Sequence, residues 1–296
     1  MPLFSVVMPS YNHARFIGEA IESVRAQSLP DLELIIVDDA STDDSPRIIR
    51  ALERRDRRIR SFFHGANIGI SRTINEGMDV AAGTFVGTLA SDDAWRPTKL
   101  ERQLAILEEN PEAVVWCEGE VVDADGRLTG MSFTQLLRAE TRPKSGYIFE
   151  ELLRGNYIFG SSRCVRRNSL AGIRRREDLK YLNDYQFHID LARRFPYRFI
   201  EEPLALYRLH GGNTVFADLQ GYYEDSRKLR RYFLATYAPD LTWRSRYHIW
   251  RYGIRIALKL PASRFRALLN RFAPHGTRRR ALLRRLRRSL VGGRCC

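Results

Sequence analysis

Three places in the first half of this 296-residue chain carry polar side chains directly after apolar runs. Pro9-Ser10-Tyr11-Asn12 follows Leu3–Met8, Asp38-Asp39 follows Leu32–Val37, and Ser91-Asp92-Asp93 follows Thr84–Ala90. Adjacent carboxylates delivered to a strand end repel each other and desolvate badly, so a cation is their natural partner. In open α/β sheets, ligands bind at the carboxyl ends of the strands. An aromatic ring, several carboxylates and a divalent cation together suit a nucleoside diphosphate. The ring packs on the base, a carboxylate accepts from base or ribose, and the cation neutralises the phosphates. A single Asp-Asp pair at a strand end serves as readily as a turn or helix cap. What sets these residues apart is that three such clusters would fall on one rim.

The elements that must position them are legible as periodicities. Leu3–Met8 and Leu32–Val37 read as buried strands. Between them Phe16, Ile17, Ala20, Ile21 and Val24 form one helical stripe. Ser41–Asp44 has the composition of a helix start, and Ile48, Ile49 and Leu52 supply that helix's apolar face. A short strand at Ile59–Phe63 leads to Asn67-Ile68-Gly69, then a helix to about Ala82 and the strand 84–90. Strands and helices alternating across short connections predict a parallel α/β sheet with helices on its faces. Pro97–Glu109 reads as a helix with Pro97 in its first turn. Ala113–Val122 reads as a strand closed by a hairpin turn at Asp125-Gly126. Phe133–Tyr147 loses its pattern and is expected to be a mobile loop. Helical spacing returns over Asp184–Phe195, and a strand near Tyr197–Ile200 and the segment Pro203–Arg208 lead to His210-Gly-Gly-Asn213.

Composition sets outer bounds. A hydrophobic content of 44% and a charged content of 28% are those of a globular protein with ample core. No apolar run approaches the ~18 residues of a membrane span, and the start of the chain lacks the basic and apolar regions of a signal peptide. Cys117, Cys164, Cys295 and Cys296 fit neither a zinc site nor a disulfide framework, so a reducing, cytoplasmic compartment is expected. The charge of +14 is uneven: residues 241–296 hold 15 Arg, one Lys and no acid, while the rest nets −2.

Taken in order, Ser5–Asn12, Ile35–Asp44, Asn67–Gly69 and Ser91–Asp93 resemble the family 2 glycosyltransferases, as do Leu182–Asp184 with Leu191 and Leu206–His210. The resemblance covers roughly residues 3–214. It implies a GT-A type nucleotide-sugar-binding sheet flanked by helices over 1–214; beyond it, the residues themselves read as a helical, Arg-rich C-terminal region over 215–296. It also implies inverting transfer from a nucleotide sugar, of which a UDP-sugar is the common case. By position, Pro9 and Tyr11 would line the base pocket and Asp39 would accept from the base, with Asp38 a second candidate. Asp92 would approach the ribose or donor sugar, Asp93 would ligate Mn2+ or Mg2+, and Arg72 would reach the diphosphate. Many relatives have a further acidic residue where this chain has Ala90. That implies a sparse metal site completed by phosphate oxygens, water and His210, its cation arriving with the nucleotide sugar. Asp184 matches the family's catalytic base, although the usual acidic neighbour is Asn183 here; Glu177, Asp178 and Asp190 stand nearby as competitors.

The basic tail is a separate matter. Leu282, Leu286 and Leu290 form a helical stripe amid Arg over 278–290, the pattern of a helix lying on an anionic membrane. A solvated helix, one packed on the body, or a nucleic-acid contact are the alternatives. Trp243, Tyr247 and Trp250 suit that same membrane surface or a core equally well. The resemblance, together with the tail, implies a glycan or lipid-linked acceptor at the inner face of the plasma membrane. Nucleic acid is not an expected partner, because it leaves the three strand-end clusters unexplained and the body nets −2. A sugar nucleotidyltransferase would want a Gly- and Lys/Arg-rich loop where Pro9–His13 stands, and neither glycine fingerprint of P-loop or dinucleotide enzymes is present.

Overall fold

The computed structural model describes residues 1–211 and 218–257. Strands β1 (Phe4–Ser10), β2 (Leu32–Asp38), β3 (Ile59–Phe63) and β4 (Phe85–Thr88) run parallel in the order β3-β2-β1-β4. β1 and β2 are buried at every position, which is why they read as unbroken apolar runs. Phe4, Val6 and Met8 of β1 face one core with Ile17, Ala20, Ile21 and Val24 of helix α1 (Ile17–Arg25). Val7 faces the other side, where Ile35, Val37 and Ile74 join it. Helix α2 (Ser45–Glu53) lies on the first side. Helix α3 (Ile70–Asp79) comes very close to the sheet, since a Cβ on Gly77 would stand 2.5 Å from Val7 Cγ1.

The chain builds β2 and β3 on one flank of β1 and then returns to place β4 on the other. This reversal makes a topological switch point, with a crevice outside the carboxyl ends of β1 and β4. Ser10 pairs with Asp38 and Val7 with Thr88, so the three polar clusters do share one rim.

The all-parallel expectation holds only for these four strands. The sheet continues through β8 (Cys164–Arg166), β6 (Val114–Val122), β9 (Tyr197–Arg208) and β5 (Ala94–Trp95), with β7 (Leu128–Ser132) paired to β6. β8 is antiparallel to β4 and β6, β5 is antiparallel to β9, and β9 is parallel to β6. Periodicity shows which face a residue takes, but not the direction in which a distant strand pairs. Tyr197–Arg208 is one strand rather than two segments; its register against β6 shifts beside Pro203, which has no N–H to donate.

Helix α4 (Lys99–Glu109) follows β5. The supposed loop 133–147 opens instead with helix α5 (Phe133–Leu136), started by a Ser132–Gln135 capping box and anchored by buried Phe133 and Thr134. Helix α6 (Phe149–Leu152) and helix α7 (Asn183–Arg194) enclose a second core around Trp116, Tyr185 and Phe187. Helices α8 (Leu219–Thr236) and α9 (Trp243–Ala257) contribute Leu229, Phe233 and Ile249 to that same core. Packing therefore does not break at 214, and Met1–Gly253 forms one compact unit. Residues 278–290, Cys295 and Cys296 lie outside the described residues. Among the described residues no helix is long and apolar enough to cross a membrane.

Candidate active site

The turn after β1 is set by Asn12, which takes a left-handed conformation (φ 53°) that Asn tolerates better than most residues. Its amide donates to Ser41 Oγ at 2.8 Å, and its Oδ1 accepts from the Thr42 amide at 2.8 Å. Tyr11 is left 46% exposed on the rim, while Pro9 is buried in β1. Asp38 is consumed internally: it accepts from Ser10 Oγ and Ser41 Oγ, both at 2.7 Å, and from the Ser41 amide at 2.9 Å. Asp39 pins the next loop, accepting from the Ile68 amide at 2.8 Å and the Gly69 amide at 2.9 Å. His64 Nδ1 lies 2.9 Å from Asp39, and its Nε2 lies 2.7 Å from Glu76. Burial opposes charge on His64, but the bonds to Asp39 and Glu76 outweigh it and raise its pKa. Arg72 is half-exposed on the first turn of α3, with Nε 3.3 Å from Glu76.

Asp92 and Asp93 point into different surroundings. Asp93 is buried, accepting from Ser161 Oγ at 2.6 Å and the Arg208 amide at 3.1 Å. Burial and the neighbouring Asp92 charge push its carboxyl well up. Asp92 Oδ2 instead stands 3.0 Å from His210 Nε2, at the end of β9. Burial would raise Asp92 too, yet the His210 bond and the nearby His13 outweigh it and hold the carboxyl low. Possible ligand atoms of His13, Asp92 and His210 all lie within 4.8 Å of one another. Among the described residues these three form a group whose spacing could hold a metal ion, and Asp93, the expected metal ligand, is not one of them. Asp93 instead ties β4's end to the Gly160–Ser162 turn and to β9. Arg208 completes the brace, donating from Nε to the Asp92 carbonyl at 2.9 Å and pairing with Glu19 at 2.7 Å.

Asp184 sits in the first turn of α7, where the helix dipole favours a carboxylate. It accepts from Asn156 Nδ2 at 3.1 Å and from the Tyr185 amide at 2.6 Å. Burial raises its pKa, opposed chiefly by the charge of Arg175. Arg175 is itself buried and donates to Asn183 Oδ1 at 2.6 Å; burial pushes it down to about 10. The segment before α7 is fastened from both sides. Asn75 of α3 exchanges two bonds with the Arg175 backbone, and Asp225 of α8 accepts from the Tyr181 amide at 2.6 Å. Asp184 belongs to the same neighbourhood as the β4 end. The Tyr207 phenol is raised by burial first and then by the charges of Asp93, Asp92 and Asp184 together. Glu177, Asp178 and Asp190 are engaged elsewhere or exposed: Asp178 pairs with Arg176, and Asp190 accepts from Tyr232 and Tyr237.

Sequence reasoning missed His13, Ser161, Arg208, Tyr207, Asn156 and Arg175. His13 carried a local signal, as an imidazole directly after a strand-end turn, and Tyr207 and Arg208 stand inside the Leu206–His210 motif. Ser161, Asn156 and Arg175 are ordinary residues brought in by long-range packing.

Residues 5–174 match the model described as Glycosyl transferase family 2. An uncharacterized glycosyltransferase of Haemophilus influenzae is 33% identical over 190 residues, covering 64% of this chain and 72% of that protein. The putative teichuronic acid biosynthesis glycosyltransferase TuaG of Bacillus subtilis is 38% identical over 125 residues, 42% of this chain and 50% of that protein. Among solved structures, S. aureus TarS in complex with UDP-GlcNAc superposes with a TM-score of 0.69 at 20% identity, covering 91% of this chain and 79% of that one. The mannosyltransferase PcManGT from Pyrobaculum calidifontis, in complex with GDP-Man and Mn2+, gives 0.63 at 19%, covering 95% and 78%. With a curled mixed sheet of the GT-A kind and the family's model matched over more than half its length, the chain belongs to the family 2 glycosyltransferases and is a glycosyl-transferring enzyme.

Proposed function

We propose that the chain is an inverting, metal-dependent transferase. Its donor is a nucleotide sugar of the UDP class, and its acceptor is a hydroxyl of a glycan or lipid-linked acceptor in surface polysaccharide or glycolipid assembly. The observation that carries this reading is the pairing of Asp92 with His210 at the end of β4, in one neighbourhood with the separately held carboxylate of Asp184. Asp184 takes the acceptor hydroxyl's proton as that oxygen attacks the anomeric carbon. The bond from that carbon to the diphosphate breaks, its electron pair leaves with the diphosphate, and the configuration inverts. A carboxylate raised by burial is better matched to this task than a solvated one. Asp92 and His210 fit a divalent cation, Mn2+ or Mg2+, as one hard oxygen and one imidazole at neighbouring positions. When bound, the cation supplies positive charge to the departing diphosphate. Tyr11 and Pro9 flank the base, Asp39 accepts from it while holding the 68–69 loop, and Arg72 reaches for phosphate.

The TarS complex with UDP-GlcNAc supports the UDP class, the PcManGT complex supports Mn2+, and TuaG's name supports a polysaccharide setting. A thermal-shift panel of UDP, GDP, CDP and dTDP with and without Mn2+ tests the donor. Stabilisation by UDP that requires Mn2+ is expected, and no response to any of the four would overturn the reading.

We place the enzyme peripherally on the cytoplasmic face of the membrane. Trp243, Tyr247 and Trp250 recur along one face of α9 and are 74%, 46% and 51% exposed, so core packing does not claim them. Exposed Arg244, Arg246 and Arg251 flank them. Aromatic rings with cationic neighbours suit the headgroup region of an anionic bilayer.

A further inference from the structure

We propose that His13 is a third protein ligand of the cation, and that this lets the chain take up a transition-metal ion before any nucleotide arrives. The inference rests on the nucleotide-sugar reading and concerns only how the cation is held. Three separate segments supply the set: His13 from the turn after β1, Asp92 from the turn between β4 and β5, and His210 from just beyond β9. They meet across the switch point between β1 and β4, where the sheet itself opens the crevice.

The spacing suits coordination. Asp92 Oδ2 and His210 Nε2 stand 3.0 Å apart. Two ligands at right angles, each ~2.1 Å from one ion, stand about 3 Å apart. The His13 ligand atom lies within 4.8 Å of both.

The His13 ring has an outer partner, since its Nδ1 lies 2.8 Å from Ser91 Oγ. In the tautomer that donates Nδ1–H to that hydroxyl, the Nε2 lone pair is left for a metal. Its amide donates to Ser45 Oγ at 3.1 Å, and Asn12 fixes the turn before it. Phe16 backs both imidazoles, with ring centroids 6.2 Å from His13 and 4.7 Å from His210. The His13 and His210 rings stand edge to face at 5.8 Å.

Two consequences follow from this donor set. The chain lacks an acidic residue at Ala90, but His13 restores a third point of attachment from the opposite wall of the crevice. The site therefore does not depend on phosphate oxygens to assemble. Two imidazoles and one carboxylate also favour Mn2+, Co2+ or Zn2+ over Mg2+, which prefers an octahedron of oxygen and water.

The test is Mn2+ binding to the full chain without nucleotide, read from the electron paramagnetic resonance signal of free Mn2+. One Mn2+ per chain is expected, with most of it retained in a hundredfold excess of Mg2+. His13→Ala should weaken binding by about tenfold or more, and Ser91→Ala by less, as loss of an outer partner does. His13→Asn serves as a second variant should the alanine form fail to fold by its melting temperature. Mn2+ binding by the wild type only when UDP is present, or equal affinity in the folded His13 variants, would overturn the inference. UDP stabilisation with Mn2+ in those same variants leaves the nucleotide-sugar reading intact. A wild-type chain that binds neither Mn2+ nor UDP overturns both.

Discussion

Asp92 and Asp93 are neighbours in the chain with opposite electrostatics. Asp92 is held low beside His210, whereas Asp93 is buried against Ser161 and pushed up. The two lie in a tight turn closed by the Asp93 amide donating to the Ala90 carbonyl at 3.1 Å, which leaves Asp92 beside His210 while Asp93 braces the turn against Ser161. At Asp184 a single substitution is decisive: Asp184→Asn should lower kcat by ~10²–10⁴-fold, the usual contribution of a general base. In the wild type, kcat should fall as pH drops through a pKa above the ordinary 3.8, since Asp184 is raised by burial. A pH–rate profile on the purified enzyme checks both, and full activity in the variant would remove Asp184 from the mechanism. His64 has the opposite link to pH. Its folded pKa is raised above 6.5, so its clamp on Asp39 and Glu76 stabilises fully below that value and is lost as pH rises through the folded one. Denaturant midpoints measured from about pH 6 to about pH 9 should decline in the wild type and flatten in His64→Gln. Parallel curves would show that His64 is not the titrating clamp.

At the scale of elements, strands and helices were legible where one face had to be apolar. Ile59–Phe63 matches its expected span, and β6 and α7 lie within a residue or two of theirs. The short α5 and α6 and strand β8 escaped notice because four or fewer residues carry no period. The join between β3 and α3 depends on backbone rather than on side chain. Gly69 has φ 93° and ψ 148°, a region nearly closed to other residues, and it donates to Asp39 while capping α3. A Cβ there would meet nothing within 4 Å, so the strain would be conformational and not steric crowding. Gly69→Ala should therefore cost about 1–3 kcal/mol in urea unfolding and loosen UDP binding. An unchanged midpoint would mean the loop can adopt another path.

At the scale of the molecule, the described helices α8 and α9 add side chains to the core that seats α7. Leu229, Phe233 and Ile249 are buried in the core that seats α7, and Asp225 satisfies the amides that lead into it. Each such side chain contributes ~1.5–3 kcal/mol when fully buried. What α9 leaves outside is the Trp243, Tyr247 and Trp250 face with its arginines. The full chain should sediment with vesicles containing phosphatidylglycerol, release at high salt, and ignore neutral phosphatidylcholine. Joint Trp243→Ala and Trp250→Ala should weaken that binding. Equal sedimentation with both vesicle types, or with neither, would refute an anionic surface as the partner.

The sequence by itself determined the first four strands, their helices, the rim on which Pro9, Asp38-Asp39 and Asp92-Asp93 converge, and the family. Each of these follows from local periodicity, or from residues that stand in order along the chain. Only the tertiary structure decided which carboxylate of the Asp92-Asp93 pair faces His210, and that β9 and α8 hold the far wall. It also brought His13 across the switch point and left Asp184 partly buried, with the charge of Arg175 acting on it. These outcomes depend on pairing direction and on contacts between residues roughly a hundred positions apart. No local pattern encodes them, because a side chain's charge and orientation are set by whatever packs against it.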